Sequence, residues 1–160
     1  MEKPVLTVRN LSKQYGNGCT HCENGGELEK NFCPRCKTVY ACRNVSFELY
    51  RGEILGIVGE SGSGKSTLLK VISGIEKPDS GMLYHLDKEY TGSKPEKTGK
   101  FLQMIFQDAY GSFDPKMNME KSLKEGTASD RNEIVRVIGE VGLSEDLLDR
   151  RPRHLSGGQC

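Results

Sequence analysis

Residues 45–49 (VSFEL) alternate strictly between apolar and polar side chains, which predicts a strand with one buried face. Residues 5–9 (VLTVR) predict a second strand, ended by a turn at Tyr15, Gly16, Asn17 and Gly18. Two continuous apolar runs predict buried core strands: residues 53–58 (EILGIV) and residues 102–106 (LQMIF), the latter ending at Gln107. A Pro-Asp-Ser-Gly turn at 78–81 leads into a strand over residues 82–85. Residues 66–73 (STLLKVIS) predict a helix stopped by Gly74. Residues 89–100 are polar and predict a loop, and residues 108–115 are irregular. From Asn118 on the pattern is helical. Asp130 and Glu133 have capping-box spacing, and Ile134, Ile138 and Val141 form an apolar stripe suited to packing. Pro152 closes that region. There is no internal repeat.

Composition narrows the class. A chain of 160 residues is one domain or part of one. Its 23 basic and 22 acidic residues balance, so nothing points to nucleic acid or an anionic membrane as a general partner. No apolar stretch is long enough for a secretory signal or a membrane span, so any membrane would be supplied by another chain. Tryptophan is absent, and the core must be built from Val, Ile and Leu.

The chemistry concentrates between residues 59 and 67. Gly59, Glu60, Ser61, Gly62, Ser63, Gly64, Lys65, Ser66 and Thr67 fit G-x-x-x-x-G-K-[ST], the phosphate-binding P-loop. Glycines let successive amides turn toward phosphate oxygens. Lys65 supplies a point charge for the β- and γ-phosphates, and the Ser66 hydroxyl is a Mg²⁺ ligand candidate. A strand before the loop and a helix after it set a helix N-terminus against the phosphates.

About 90 residues further on stands Leu155-Ser156-Gly157-Gly158-Gln159, with Gln107 between the two motifs. P-loop, glutamine loop and LSGGQ in this order resemble the ATP-binding cassette (ABC) ATPases. The stretches VSFELYRGEILGIVGESGSGKSTLL and QMIFQDAYGSFDP are most similar to the ATPases of peptide and nickel importers. The first also resembles the ATPase associated with phosphonate carbon–phosphorus lyase. The resemblance implies that Gly59, Ser61, Gly62, Ser63, Gly64 and Lys65 wrap the phosphates of ATP, followed by Ser66 and Thr67. It implies that Gln107 contacts Mg²⁺ or the attacking water. It makes Tyr15 the aromatic that stacks on adenine, with Tyr40 the alternative. It sets Ser156, Gly157 and Gly158 against the γ-phosphate held by the opposite subunit of a dimer. A Ser-Gly-Gly turn opening a helix would offer free amides to that anion.

The family's second acidic motif is an apolar strand ending in Asp, followed by a catalytic Glu, and it lies after LSGGQ. No apolar run ending in Asp-Glu occurs in these 160 residues, and His154 precedes the signature, so it does not match the family's switch histidine. The expectation is an N-terminal fragment that lacks the Walker B motif and does not hydrolyse ATP by itself. Without the missing strands, Ile54, Leu55, Ile57 and Val58 lack neighbours.

Cys19-x-x-Cys22 and Cys33-x-x-Cys36 stand ten residues apart in a polar insertion. Two such knuckles can set four thiolates around Zn²⁺, closing a structural site. The insertion has too few apolar residues to order itself by burial, whereas a bound metal can do so. An iron–sulfur or redox role and a disordered reduced loop are the alternatives. Cys42 reads as a small buried residue, and the family does not generally carry the insertion.

The expected fold is therefore α/β, the N-terminal part of a P-loop NTPase of the ABC type. It comprises an antiparallel β subdomain, a partial parallel-sheet core and a partial helical subdomain. Residues 1–111 hold the first two, with the zinc-knuckle-like insertion at 16–41, and residues 112–160 hold the third. The expected function is the ATP-binding subunit of a solute transporter, working with a second nucleotide-binding domain and a membrane permease. Its expected place is cytoplasmic, at the inner face of the cell membrane through the permease. A soluble ABC ATPase that assists an enzyme complex, or a nucleotide- and zinc-binding module without turnover, are the alternatives.

Overall fold

The structure, a computed structural model, describes residues 3–90, 101–127 and 129–159. It divides into two units, residues 1–104 and 105–160. The first is a four-stranded antiparallel sheet in the order β2-β1-β3-β4, with β1 Leu6–Tyr15, β2 Val39–Leu49, β3 Ser80–His85 and β4 Lys88–Glu89. A four-residue helix, α1 (Thr20–Glu23), lies within the cysteine insertion, and α2 (Lys65–Ile72) follows the phosphate loop.

The alternation seen at 45–49 does lie in a strand, but β1 and β2 run well beyond the predicted segments. They continue because they pair with each other, from Leu6 opposite Leu49 to Tyr15 opposite Val39. The register shifts between Val8 and Leu11, where Asn10 has φ +48° and its amide donates to Ser46 Oγ at 2.8 Å. Leu6, Val8, Leu11, Cys42 and Leu83 from the sheet bury themselves against Leu68, Val71 and Ile72 of α2. That packing fixes the helix, and with it the loop that leads into it.

The two predicted core strands are not formed. None of the strand pairings involves residues 53–58 or 102–106. Ile54 and Val58 expose 96% and 93% of their surface and Ile105 exposes 96%, while Ile57 and Leu102 pack partly against the sheet–helix core. A parallel strand needs partners on its edges and cover on both faces, and the described residues provide neither.

In the second unit, α3 (Met119–Thr127) and α4 (Arg131–Glu140) pack with short 3₁₀ turns. Asp130 caps α4 by accepting the Glu133 amide at 2.9 Å. Ile134, Ile138 and Leu148 form one small core, and Met119, Leu147 and Leu155 form another. Val141 leaves the predicted stripe and is 70% exposed. The helix ends at Glu140, Gly142 turns to φ +79°, and Leu143, whose amide bonds Ile138 O, packs in its stead. From residue 91 on, the predicted 89–100 loop lies outside the described residues, as does Cys160. No helix among the described residues is long and apolar enough to cross a membrane.

Candidate functional site

The phosphate loop closes on the start of α2. Gly62 and Gly64 adopt φ +80° and +94°, conformations that favour glycine. The first helical bond runs from Leu68 N–H to Gly64 O, so the amides of Lys65, Ser66 and Thr67 have no partner inside the helix. These amides and the positive end of α2 make an anion cradle. Lys65 Nζ lies across the loop, donating to Gly59 O at 2.8 Å, Glu60 O at 2.7 Å and Ser63 Oγ at 3.3 Å. A β-carbon on Gly64 would stand 1.8 Å from Ala41 O, so the loop is pressed directly against β2. Gly64→Ala therefore combines a forbidden contact with a strained φ. It should cost at least ~2 kcal/mol of stability and most of the nucleotide affinity. An unchanged melting temperature would show that the loop and β2 are not in contact.

Two cavities flank the loop. The larger, about 410 Å³, is lined by Gly59, Ser63, Gly64 and Lys65 together with Lys30, Arg43, Tyr40 and apolar residues. Its wall is mostly apolar, with Lys30, Arg43 and Lys65 as its charged residues and no carboxylate. The smaller, about 190 Å³, is lined by Gly62, Gly64, Lys65, Ser66 and Thr67 with Tyr15, Asn31, Val39 and Ala41. Tyr15 thus borders the loop, its hydroxyl donating to Glu76. Tyr40 borders the larger cavity under the Arg43 guanidinium, and its hydroxyl is pushed up to about 12 by a hydrogen bond to Cys22. Gly59 and Ser61 lie in the exposed part of the loop. The donors present fit ATP. Ser66 lies in the first turn of α2 and is exposed.

The four cysteines of the insertion converge. Their Sγ atoms all lie within 4.8 Å of one another, with Cys19–Cys22 at 3.6 Å, Cys19–Cys33 at 3.8 Å and Cys22–Cys36 at 3.7 Å. Four thiolates about 2.3 Å from one tetrahedral zinc ion stand about 3.8 Å apart, so the cage fits a single ion. All four are free thiols, not disulfides, and Cys22 and Cys33 are buried. The Thr38 hydroxyl and amide hold the Cys36 thiol down at about 6, whereas the Cys19 thiol, although lowered by the Cys22 backbone, is raised to about 11 by burial and by bonds to Cys36 and Cys22. Cys42 is buried in the sheet–helix core and takes no part in the cage.

In the second unit Gln107 is exposed on a bend. The signature residues Ser156, Gly157 and Gly158 are exposed, and residues 157–159 form a turn. Tyr110 supports it by donating to Leu155 O at 2.7 Å. Against the expectation of free signature amides, the Ser156 amide is not a free donor. It is taken by Gln159 Oε1 at 3.0 Å, because the glutamine folds back over the turn.

Sequence reasoning missed Lys30, Asn31 and Arg43 as residues that line the cavities beside the loop. Lys30 and Asn31 carry no motif of their own. Their only signal is a position between two cysteine knuckles.

These features define a P-loop nucleotide-binding cassette. The family model described as ABC transporter matches residues 42–160, and the chain belongs to that family. It is 37% identical over 141 residues to the oligopeptide transport ATP-binding protein OppF of Haemophilus influenzae, covering 81% of this chain and 42% of that one. It is 34% identical over 166 residues to the di/tripeptide transport ATP-binding protein DppF of Pseudomonas aeruginosa, covering 97% of this chain and 48% of that one. The chain thus spans about half the length of the curated relatives it matches. In fold it is similar to the ATP-binding cassette MJ0796, solved as a dimer in a post-hydrolysis state bound to ADP and Pi. The TM-score is 0.70 at 24% identity, covering 96% of this chain and 64% of that one.

Proposed function

We propose that this chain is the ATP-binding part of an ABC-type importer, coupling ATP to the passage of peptides through a partner permease. The observation that carries the nucleotide reading is the Gly59–Thr67 cradle. Helical amides without helical partners and two positive-φ glycines converge there, on a cavity lined by Gly62, Gly64, Lys65, Ser66 and Thr67. The peptide class is supported by the relatives, which are named for oligopeptide and di/tripeptide transport.

In this reading Gly59, Ser61, Gly62, Ser63 and Gly64 shape the loop around the β- and γ-phosphates. Lys65 exchanges its carbonyl partners for phosphate oxygens. Ser66 is the Mg²⁺ ligand of the loop, and the ion when bound would neutralise charge on the phosphate oxygens. Thr67 completes the first turn, and Tyr15 stacks on the base. Ser156, Gly157 and Gly158 face the nucleotide of a second, dimer-related cassette. The 16–41 insertion is held by zinc in the cage of Cys19, Cys22, Cys33 and Cys36. The reading sets residues 1–111 as the β subdomain and P-loop half, and residues 112–160 as part of the helical subdomain. The partner permease brings the cassette to the cytoplasmic face of a membrane.

The test is calorimetric titration of the 160-residue chain with ATP and ADP in the presence of Mg²⁺. One nucleotide per chain should bind. Because no Asp-Glu pair follows an apolar run in these residues, phosphate release should stay at the buffer rate. A folded sample that ignored both nucleotides would remove the reading, and metal-dependent turnover would remove its second half.

A further inference from the structure

We propose that the segment between the two cysteine knuckles forms a wall of the nucleotide cavity. Asn31 positions the phosphate loop and Lys30 adds a cation, so that a metal ion in the four-thiol cage sets nucleotide affinity. The inference rests on the nucleotide reading and adds a regulator to it.

Asn31 carries the geometry. Its side-chain amide donates to Gly62 O at 3.1 Å, a hydrogen bond from the insertion to the phosphate loop. Gly62 has φ +80°, so the tether grips the loop at a peptide that would otherwise turn freely. Asn31 is itself held, because its carbonyl accepts the Tyr40 amide of β2 at 2.6 Å. Lys30 lines the larger cavity beside Arg43 and Lys65.

The cage fixes both ends of this wall. Cys33 follows Asn31 by two residues, and its amide donates to Thr38 O at 2.8 Å. Thr38 is buried, and its hydroxyl accepts from the Gly18 amide at 2.9 Å while contacting Cys36 Sγ at 3.2 Å. On the other side Cys22 ends the first knuckle in α1. Apart from the half-buried Leu28 and Phe32, the stretch between the knuckles has no large apolar side chain to order it. Without metal the segment regains its backbone freedom, and nucleotide binding must then supply the cost of ordering it. With metal that cost is already met, and the two ligands become positively coupled.

The experiment compares the full chain loaded with zinc and stripped by chelator, each titrated with ATP and Mg²⁺. Zinc removal should weaken ATP at least ~fivefold, and by reciprocity saturating ATP should tighten zinc by the same factor. Asn31→Ala, with its zinc content intact, should weaken ATP about three- to tenfold, the worth of one lost hydrogen bond. It should also narrow the ratio between loaded and stripped protein, which a variant that merely loosened the fold would not do. This variant keeps the proposal testable should the stripped chain unfold. Equal ATP affinity with and without zinc, or wild-type affinity in zinc-loaded Asn31→Ala, overturns the inference and leaves the nucleotide reading standing. Absence of ATP binding in the zinc-loaded parent overturns both.

Discussion

Lys65→Ala should weaken ATP by ~100-fold or more, close to 2.7 kcal/mol, while leaving the melting temperature almost unchanged. The two halves of that expectation have separate causes. In the structure the Lys65 ammonium donates to Gly59 O, Glu60 O and Ser63 Oγ. The loop residues 59–63 are all exposed, so water replaces the lost donors and folding stability changes little. A bound triphosphate offers anionic oxygens to the same ammonium, which adds ion-pair attraction to the hydrogen bonds. Removing the cation therefore costs binding far more than folding. Lys65→Arg should not rescue it, because a planar fork cannot occupy the point-charge position inside the loop. Calorimetry with ATP and Mg²⁺ decides the matter, and unchanged affinity in Lys65→Ala would take Lys65 out of the site.

The second large effect is expected at the cysteine cage. Cys33→Ser should lower bound zinc from about one ion per chain to nearly none, and should open the insertion to proteolysis. Cys33 is fully buried and its thiol contacts Cys19 Sγ at 3.8 Å, so no outside group can take its place. A structural zinc site contributes on the order of 10 kcal/mol to local folding, far above what the half-buried Leu28 and Phe32 can supply. Elemental analysis gives the metal content, and limited proteolysis reports on residues 19–36. Full zinc occupancy in the variant would refute the four-thiol cage. A stripped wild-type chain that resists cleavage as well as the loaded one would show that metal does not order the segment.

Much of the site was legible because its signals are local. Glycine spacing around Lys65, the paired Cys-x-x-Cys knuckles and the Asp130 cap each depend on residues close in sequence: the loop turns at Gly62 and Gly64, the four Sγ atoms converge, and Asp130 accepts the Glu133 amide, one half of the expected box. The strand ends were not legible. Residues such as Ser12 and Gln14 have no strong strand character, yet they lie in β1, where Ser12 stands opposite Ser80 of β3, Gln14 stands opposite Tyr40 of β2, and Asp79 bonds both backbones. The apolar runs at 53–58 and 102–106 misled in the opposite direction. Their composition is that of buried strands, but burial needs partners, and Ile54 and Ile105 stand almost wholly exposed.

From sequence alone came the kinds of chemistry: a phosphate loop, a four-thiol cage, a glutamine and a signature turn in the order of the ABC family. Those follow from short spacings and from residue types with few physical substitutes. Only the folded chain decided which apolar runs find cover and which residues meet across long loops. Asn31 touches Gly62 although 31 positions separate them, because β2 carries the cysteine insertion back beside the phosphate loop. No local pattern encodes that meeting, since it depends on the packing of the sheet against α2.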